Sequence, residues 1–345
     1  MTEKLRVLLV GAGDMGHHHA PAWENLGHQL HTIVDINRDR ADEVAQKYNA
    51  MRTFYGERDY LTALDDEIDV VDICVPLELH APITIAAAER GKHIFCEKPI
   101  ARNFHEVELM ENAVQSAGVK FGLGFQRNLA SGVDKLKEWA DADVFGRPRI
   151  FSCDLLQEVR PKRFMHNRYS NNGPIVDACC HDFLLWKSVF RSKPKSVFAR
   201  GGILGQGRQE ISHIATLAMD SAVITVEFES GDIGTMTVSW GLEENTPLSG
   251  RPERIIGPKG GAEMEKMKEF GWPGVYLYHE GEKSYHDLPQ KDVFVEEISG
   301  FVDSIRGMRE APIYGFLEGK EMLAVSLAAL DSIDTGKVVP VATYL

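Results

Sequence analysis

The stretch that most restricts the fold runs from Leu5 to Gly16: an apolar, β-branched run, Leu5 to Val10, stops at Gly11-Ala12-Gly13-Asp14-Met15-Gly16, and a helical pattern follows. A strand of that composition reads as buried on both faces, a position in a parallel sheet. Glycines spaced G-x-G-x-x-G permit in turn a tight bend, a close approach of backbone to a pyrophosphate, and close helix packing. Context gives the motif its weight. The helix opens directly after it, so its N-terminus faces an anion, and a second strand, Leu30 to Asp35, ends in an acid. A carboxylate there accepts hydrogen bonds from a ribose 2′-hydroxyl and repels a 2′-phosphate, so Asp35 favours NAD over NADP. Arg38 and Arg40 keep NADP open, because either can pair with a 2′-phosphate or stack on adenine; both also fit as solvated helix charges.

Strand and helix patterns alternate beyond that unit. A polar helix over 38–48 leads to strands at 51–55 and 70–75; an Ala-rich helix, Ile83 to Arg90, is stopped by Gly91; the strand His93 to Cys96, a helix from Val107 to Ser116 and a strand from Val119 to Gly124 follow. This alternation predicts an α/β unit, a Rossmann-type doubly wound parallel sheet over residues 1–125. After residue 125 the period becomes two. Ile224, Val226 and Phe228 share one face, the turn Ser230-Gly231-Asp232 follows, and Met236, Val238 and Trp240 alternate again, so 221–241 reads as a β-hairpin. Further strands are expected at 149–155, 195–204, 253–257 and 275–279, with closing helices through Phe294 to Ile305 and Leu323 to Leu330. The second domain, 126–345, is therefore α+β with a large, mostly antiparallel sheet. Length agrees with two domains, since 345 residues exceed the roughly 250–300 that one core organises.

Charge and cysteine content remove several classes of function. With 51 acidic against 38 basic residues the formal charge is −13, and a nucleic-acid backbone is repelled by the average field. Cys74, Cys96, Cys153, Cys179 and Cys180 are odd in number and show neither zinc-ribbon nor disulfide-framework spacing, which suits a reducing cytoplasm. No stretch approaches the ~18 uninterrupted apolar residues of a membrane span, and the apolar run near the start is too short for a signal region. His17, His18 and His19 do not form a metal site, because consecutive helical residues point about 100° apart. They read as first-turn residues, one of them hydrogen-bonding near the phosphates.

Ligands of open α/β sheets bind beyond the carboxyl ends of the strands, which directs attention to Pro76–His80 and Glu97-Lys98-Pro99. The ammonium of Lys98 at that mouth can polarise a substrate oxygen; as a pattern it also fits a surface loop lysine. In Asp177-Ala178-Cys179-Cys180-His181-Asp182, Asp177 and His181 are spaced i, i+4 and would share one helical face. Histidine titrates near ~6.5, so His181 can take a hydroxyl proton and return it, with Asp177 orienting it. The alternatives are a satisfied core histidine and a metal site of Cys179, Cys180 and His181, the latter disfavoured because adjacent cysteines chelate poorly on a helix.

Val10 to Gly16, Asp35, Pro76, His80, Glu97-Lys98-Pro99 and the Asp177/His181 pair, together with Ala88 to Pro99 (AERGKHIFCEKP), resemble the Gfo/Idh/MocA oxidoreductases over nearly the whole chain. That family includes glucose-fructose oxidoreductase and inositol dehydrogenases. The resemblance implies an NAD(P)-dependent dehydrogenase acting on a secondary hydroxyl of a sugar or cyclic polyol. Lys98 would contact the nicotinamide region and the reacting oxygen, Asp177 would hold the hydroxyl, and His181 would be the acid/base. The expected cofactor-binding set is Gly11, Ala12, Gly13, Asp14, Met15, Gly16, Asp35, Ile36, Arg40, Val75, Pro76, His80, Glu97, Lys98 and Gln126. The expected substrate set is Lys98, Arg163, Asp177 and His181, with no metal. A homodimer or homotetramer through the C-terminal sheet is also implied. Within the same family stand a glycosidase that uses NAD for transient oxidation and a redox-dead NAD-binding sensor. Asn172-Gly173-Pro174 and Cys179 depart from the glycine-rich pattern usual there and reshape the pocket floor. Arg160, Lys162, Arg163, His166 and Arg168 form a basic segment that suits a carboxylate or phosphate, a solvated loop or a subunit contact.

Overall fold

The strand-turn-helix read from Leu5 to Asp35 becomes β1 (Arg6–Val10), α1 (Asp14–Asn25) and β2 (Gln29–Val34) in a computed structural model that describes residues 4–65, 67–248, 250, 253–268 and 270–345. Next come α2 (Arg38–Lys47), β3 (Arg52–Phe54), α3 (Tyr60–Ala63), β4 (Val70–Ile73), α4 (His80–Glu89), β5 (His93–Glu97), α5 (Phe104–Ala117) and β6 (Phe121–Gly124). The six strands are all parallel, in the order β3-β2-β1-β4-β5-β6. This order reverses between β1 and β4, and a ligand crevice opens at the carboxyl ends of strands beside such a reversal. Local chemistry sets the helix ends: the Asn103 side chain accepts the Glu106 amide at the start of α5, and Gly118, at φ 66°, closes it in the left-handed region.

The second sheet is built from β7 (Ile150–Glu158), β8 (Pro194–Gly202), β9 (Ser221–Phe228), β10 (Ile233–Leu242), β11 (Arg254–Gly257), β12 (Gly260–Met264), β13 (Gly274–His279), β14 (Glu282–Asp287) and β15 (Val339–Pro340). Its order is β14-β13-β12-β11-β7-β10-β9-β8-β15, antiparallel throughout except for β7 beside β10. The hairpin expected at 221–241 is β9 and β10, with Met236 opposite Ile224 and Val238 opposite Ala222. One face buries Val197, Ile224, Val226, Met236, Val238, Phe151 and Ile255. On the other face Ile150, Ile256, Phe198, Val223 and Tyr278 are exposed. The helices are α6 (Ser131–Asp141), α7 (Arg163–His166), α8 (Gly173–Asp177), α9 (Cys180–Phe190), α10 (Val293–Ile305) and α11 (Phe316–Thr335).

The domain division needs correction. Two compact units form, one of residues 1–126 with 292–319 and the other of 127–291 with 320–345. A division at 125/126 therefore misassigns α10, which is part of the nucleotide-binding unit. Phe301 of α10 lies 5.3 Å from Phe95 of β5 and 6.5 Å from Trp23 of α1, ring centroid to centroid. Gly122 of β6 makes that approach possible, since a Cβ there would stand 2.7 Å from the Phe301 ring. The Leu123 amide also donates to the Tyr314 carbonyl at 3.0 Å, so the returning segment is hydrogen-bonded to β6.

Candidate active site

In the first unit the three motif glycines play three separate parts. Gly11 has φ +100°, and a Cβ on it would lie 2.2 Å from the Cys74 carbonyl oxygen; one on Gly16 would lie 2.2 Å from the Gly11 oxygen. Both are closed by backbone, at the bend and at the helix-packing point. Gly13 differs. It caps α1 with no side-chain hydrogen bond to the helix amides, and a Cβ on it would meet nothing nearer than the Arg40 guanidinium at 4.0 Å. The space in front of the helix N-terminus is thus open where a pyrophosphate has to approach. Asp14 adds its acid to the first turn, Met15 follows it, and His17 Nδ1 lies 2.9 Å from the Gly13 carbonyl.

Asp35 binds both sides of the turn: Oδ2 accepts the Ala12 amide and Oδ1 the Asn37 amide, each at 2.7 Å. Ile36 beside it is 70% exposed. Arg38 stacks 3.9 Å above Tyr55, which leaves Arg40 as the arginine that reaches the glycine turn. An open cradle, an uncapped helix N-terminus and a carboxylate at the end of β2 fit a dinucleotide.

Two expected cofactor residues are held by protein partners. His80 is buried, with Nδ1 2.8 Å from the Pro99 carbonyl and Nε2 2.9 Å from the Val75 carbonyl. It ties the loops after β4 and β5 together and turns no polar atom to a ligand; burial pushes its pKa below the usual histidine value. Glu97 is buried too, with Oε1 3.1 Å from His19 Nε2 and Oε2 accepting the Lys98 amide at 3.0 Å. Lys98 itself is half-buried just past β5, joined to Pro99 by a cis peptide. Pro76 precedes a single turn, 77–79, that leads into α4, and Gln126 is buried with Oε1 outside any hydrogen bond.

Asp177, His181 and Arg163 belong to the second unit. Asp177 ends α8 and His181 lies in the first turn of α9, and Ala178 and Cys179 between them keep right-handed helical backbone. The Ala178 and Cys179 amides both go back to the Pro174 carbonyl, at 2.9 Å each, while the His181 amide goes to Ala178 at 3.3 Å. Asn172 at φ 57° and Gly173 at φ 73° open α8 in the left-handed region; a Cβ on Gly173 would be 2.4 Å from the Met219 carbonyl oxygen. The Asp177 side chain and the His181 backbone are each held by an asparagine that the sequence reading passed over. The Asn171 amide donates to Asp177 Oδ2 at 2.8 Å, and Asn128 donates to the His181 carbonyl at 3.1 Å.

The segment 160–168 is less basic than its composition suggests. Arg160, Arg163 and Arg168 are exposed, but His166 is buried and its pKa is pushed down by burial. Among the described residues, Cys179, Cys180 and His181 are not placed to share an ion. Behind His181 lies a buried set that spacing did not reveal: Arg127 pairs with Glu253 and stands 3.5 Å from Asp182. Burial raises the pKa of both carboxyls, that of Glu253 to about 7.

The two units correspond to the two halves of one known protein family. A model of the Gfo/Idh/MocA oxidoreductases, described as having an NAD-binding Rossmann fold, matches residues 5–125, and the family's C-terminal domain model matches 133–263. The chain belongs to the Gfo/Idh/MocA family. This Gfo/Idh/MocA member is 26% identical over 338 residues to a myo-inositol 2-dehydrogenase of Thermotoga maritima, covering 96% of each chain. It is also 26% identical over 351 residues to a scyllo-inositol 2-dehydrogenase (NAD(+)) of Bacillus subtilis, covering 97% of this chain and 96% of that one. An aldose-aldose oxidoreductase from Caulobacter crescentus superposes with a TM-score of 0.85 over 98% of this chain and 100% of its own, at 21% identity, which shows a common fold. As a Gfo/Idh/MocA oxidoreductase the protein uses NAD, and no helix among its described residues is long and apolar enough to cross a membrane.

Proposed function

We propose that this oxidoreductase converts a secondary hydroxyl of a sugar or an inositol-like cyclic polyol to a ketone. Near-full-length similarity to two inositol 2-dehydrogenases carries the reading, together with the retention of Lys98, Asp177 and His181. Bound nicotinamide supplies the hydride acceptor. The chain's own residues handle the proton. Asp177, fixed through Asn171, holds the substrate by accepting a hydrogen bond from a neighbouring hydroxyl; His181 takes the proton of the reacting hydroxyl as the carbon gives up its hydride; and the Lys98 ammonium stabilises the negative charge that grows on the oxygen. One C–H and one O–H bond break, a C=O bond forms, and the proton leaves on His181.

The test is absorbance at 340 nm with NAD or NADP and a panel of inositols, aldoses, anhydrosugars, uronates and glycosides. Reduction with a neutral polyol supports the proposal, with Lys98→Ala and His181→Ala each losing at least about a thousandfold in rate, as removal of a polarising or acid/base group implies. Near-normal turnover in either variant refutes the assigned roles. Reduction with uronates alone would transfer the substrate to the exposed Arg160, Arg163 and Arg168; sugar release without NADH would indicate the transient-oxidation glycosidase; silence with NAD bound would indicate a sensor.

Association as a dimer or tetramer through the exposed sheet face is part of the same proposal, because Ile150 and Ile256 lie directly opposite each other there, with Phe198 and Val223 further along. A monomer in sedimentation would contradict it. The five free cysteines suit a cytoplasmic enzyme.

A further inference from the structure

His19 was expected to be an ordinary first-turn residue of α1, yet it is fully buried, on the same helix stripe as Gly16, Ala20 and Trp23. Both ring nitrogens face carboxylates. Nδ1 lies 3.0 Å from each oxygen of Asp72 on β4, and Nε2 lies 3.1 Å from Glu97 Oε1 on β5. A neutral imidazole has a single N–H, so one of these contacts would set a lone pair against a carboxylate. Two donors satisfy both contacts, and, against the lowering by burial, the charge of Asp72 favours the imidazolium by raising the pKa of the ring. Trp23 Nε1 donates to the same Asp72 at 2.7 Å, which completes the pairing on that side. Cys74, 3.4 Å from Nδ1, stays a thiol because burial among acids raises its pKa.

Glu297 of α10 is the remaining group against this ring. It is 2% exposed, its Oε1 is 3.9 Å from His19 Nε2, and the Phe125 backbone faces its carboxyl. Ionised, it would add a third carboxylate to a buried site with one cation, a costly arrangement. Burial first, then Glu97 and Asp72, push its pKa well above the usual range, which favours the neutral acid.

Glu97 connects the cluster to the chemistry, since its second oxygen accepts the Lys98 amide at 3.0 Å where the chain leaves β5. We propose that His19 is a positioning residue of the oxidoreductase reaction: as a buried imidazolium it holds Glu97, and through Glu97 the backbone that aims Lys98, with neutral Glu297 packed beside it. This rests on the role given to Lys98 above. Without the His19 N–H, Glu97 is an unpaired buried charge and relaxes, and a displacement of about 1 Å at a reacting group costs on the order of a hundredfold in rate.

The experiment has two arms on the full-length protein. By 15N-resolved NMR of the histidine rings, His19 shows protons on both nitrogens in the wild type at and above neutral pH, and keeps them in Glu297→Gln, which preserves the shape and charge of the neutral acid. A single ring proton at neutral pH overturns the proposal, as does a stoichiometric metal ion in the purified enzyme that Glu297→Gln loses. In the kinetic arm, His19→Gln lowers kcat roughly 10- to 100-fold, leaves the Kd for NAD within about threefold, and raises the primary isotope effect with substrate deuterated at the carbinol carbon. Equal losses in kcat and NAD binding indicate general damage and overturn it. Lys98→Ala separates the two readings: if it stays active, the role of Lys98 fails; if it is dead while His19→Gln turns over normally, only the role of His19 fails.

Discussion

Gly13→Ala separates cofactor binding from folding, because Gly13 is the one motif glycine whose missing side chain the protein does not fill. Its φ of −81° and ψ of −159° suit any residue, and the nearest atom to an added Cβ is Arg40 Nη1 at 4.0 Å, an ordinary contact. Losing a glycine N-cap and restricting the unfolded chain have opposite signs and similar size, so stability changes by less than about 1 kcal/mol. The methyl group, however, would stand in front of the first amides of α1, where the open turn would take a pyrophosphate. Weakening one charge-assisted hydrogen bond costs about 1.5–3 kcal/mol, which is roughly 10- to 100-fold in the Kd for NAD. Gly16→Ala is the contrasting control: with a Cβ 2.2 Å from the Gly11 oxygen, the backbone itself has to move, at a cost of about 3 kcal/mol or more. Thermal melts and calorimetric NAD titrations check both. A Gly13→Ala protein that melts normally and binds NAD like the wild type would refute the pyrophosphate assignment, and one that melts far lower would refute the open cradle.

Two further outcomes follow from buried and paired carboxylates. Replacing Asp35 with Ser removes the charge that repels a 2′-phosphate while Arg40 stays beside the turn, so the ratio of kcat/KM for NADP to that for NAD rises by roughly tenfold or more; an unchanged ratio refutes the role of Asp35. Glu253, raised by burial from 4.5 to about 7, holds its proton more tightly folded than unfolded. The stability this confers is complete below about 4.5 and is lost as pH rises through about 7. For a side chain still 12% exposed it amounts to about 2–3 kcal/mol. Denaturant midpoints between pH 5 and 8 should fall in the wild type and flatten in Glu253→Gln; equal slopes would refute the assignment.

Several features could be read from neighbouring residues alone. The buried strand before Gly11, the acid at Asp35, the stop at Gly91 and the alternation of Ile224, Val226 and Phe228 each express a local period or a conformational demand, and all formed as expected. The spacing of Asp177 and His181 was legible, but not that one ends α8 and the other opens α9, since the two-residue turn between them follows from hydrogen bonds back to Pro174. His19 gave one overlooked signal: on α1 it falls in register with Gly16, Ala20 and Trp23, and a histidine on a core stripe calls for partners.

Those partners lie far along the chain. Hydrophobic period and turn chemistry act over a few residues, so the Rossmann unit, the glycine turn and the acid that follows its second strand were legible from local pattern. Only the tertiary structure decided that α10 returns to the first unit, that His80 braces two loops, and that Asp72, Glu97 and Glu297 surround His19. Sheet order and helix docking bring such groups together from more than fifty residues apart, and the sign of each buried charge is set by whichever neighbours arrive.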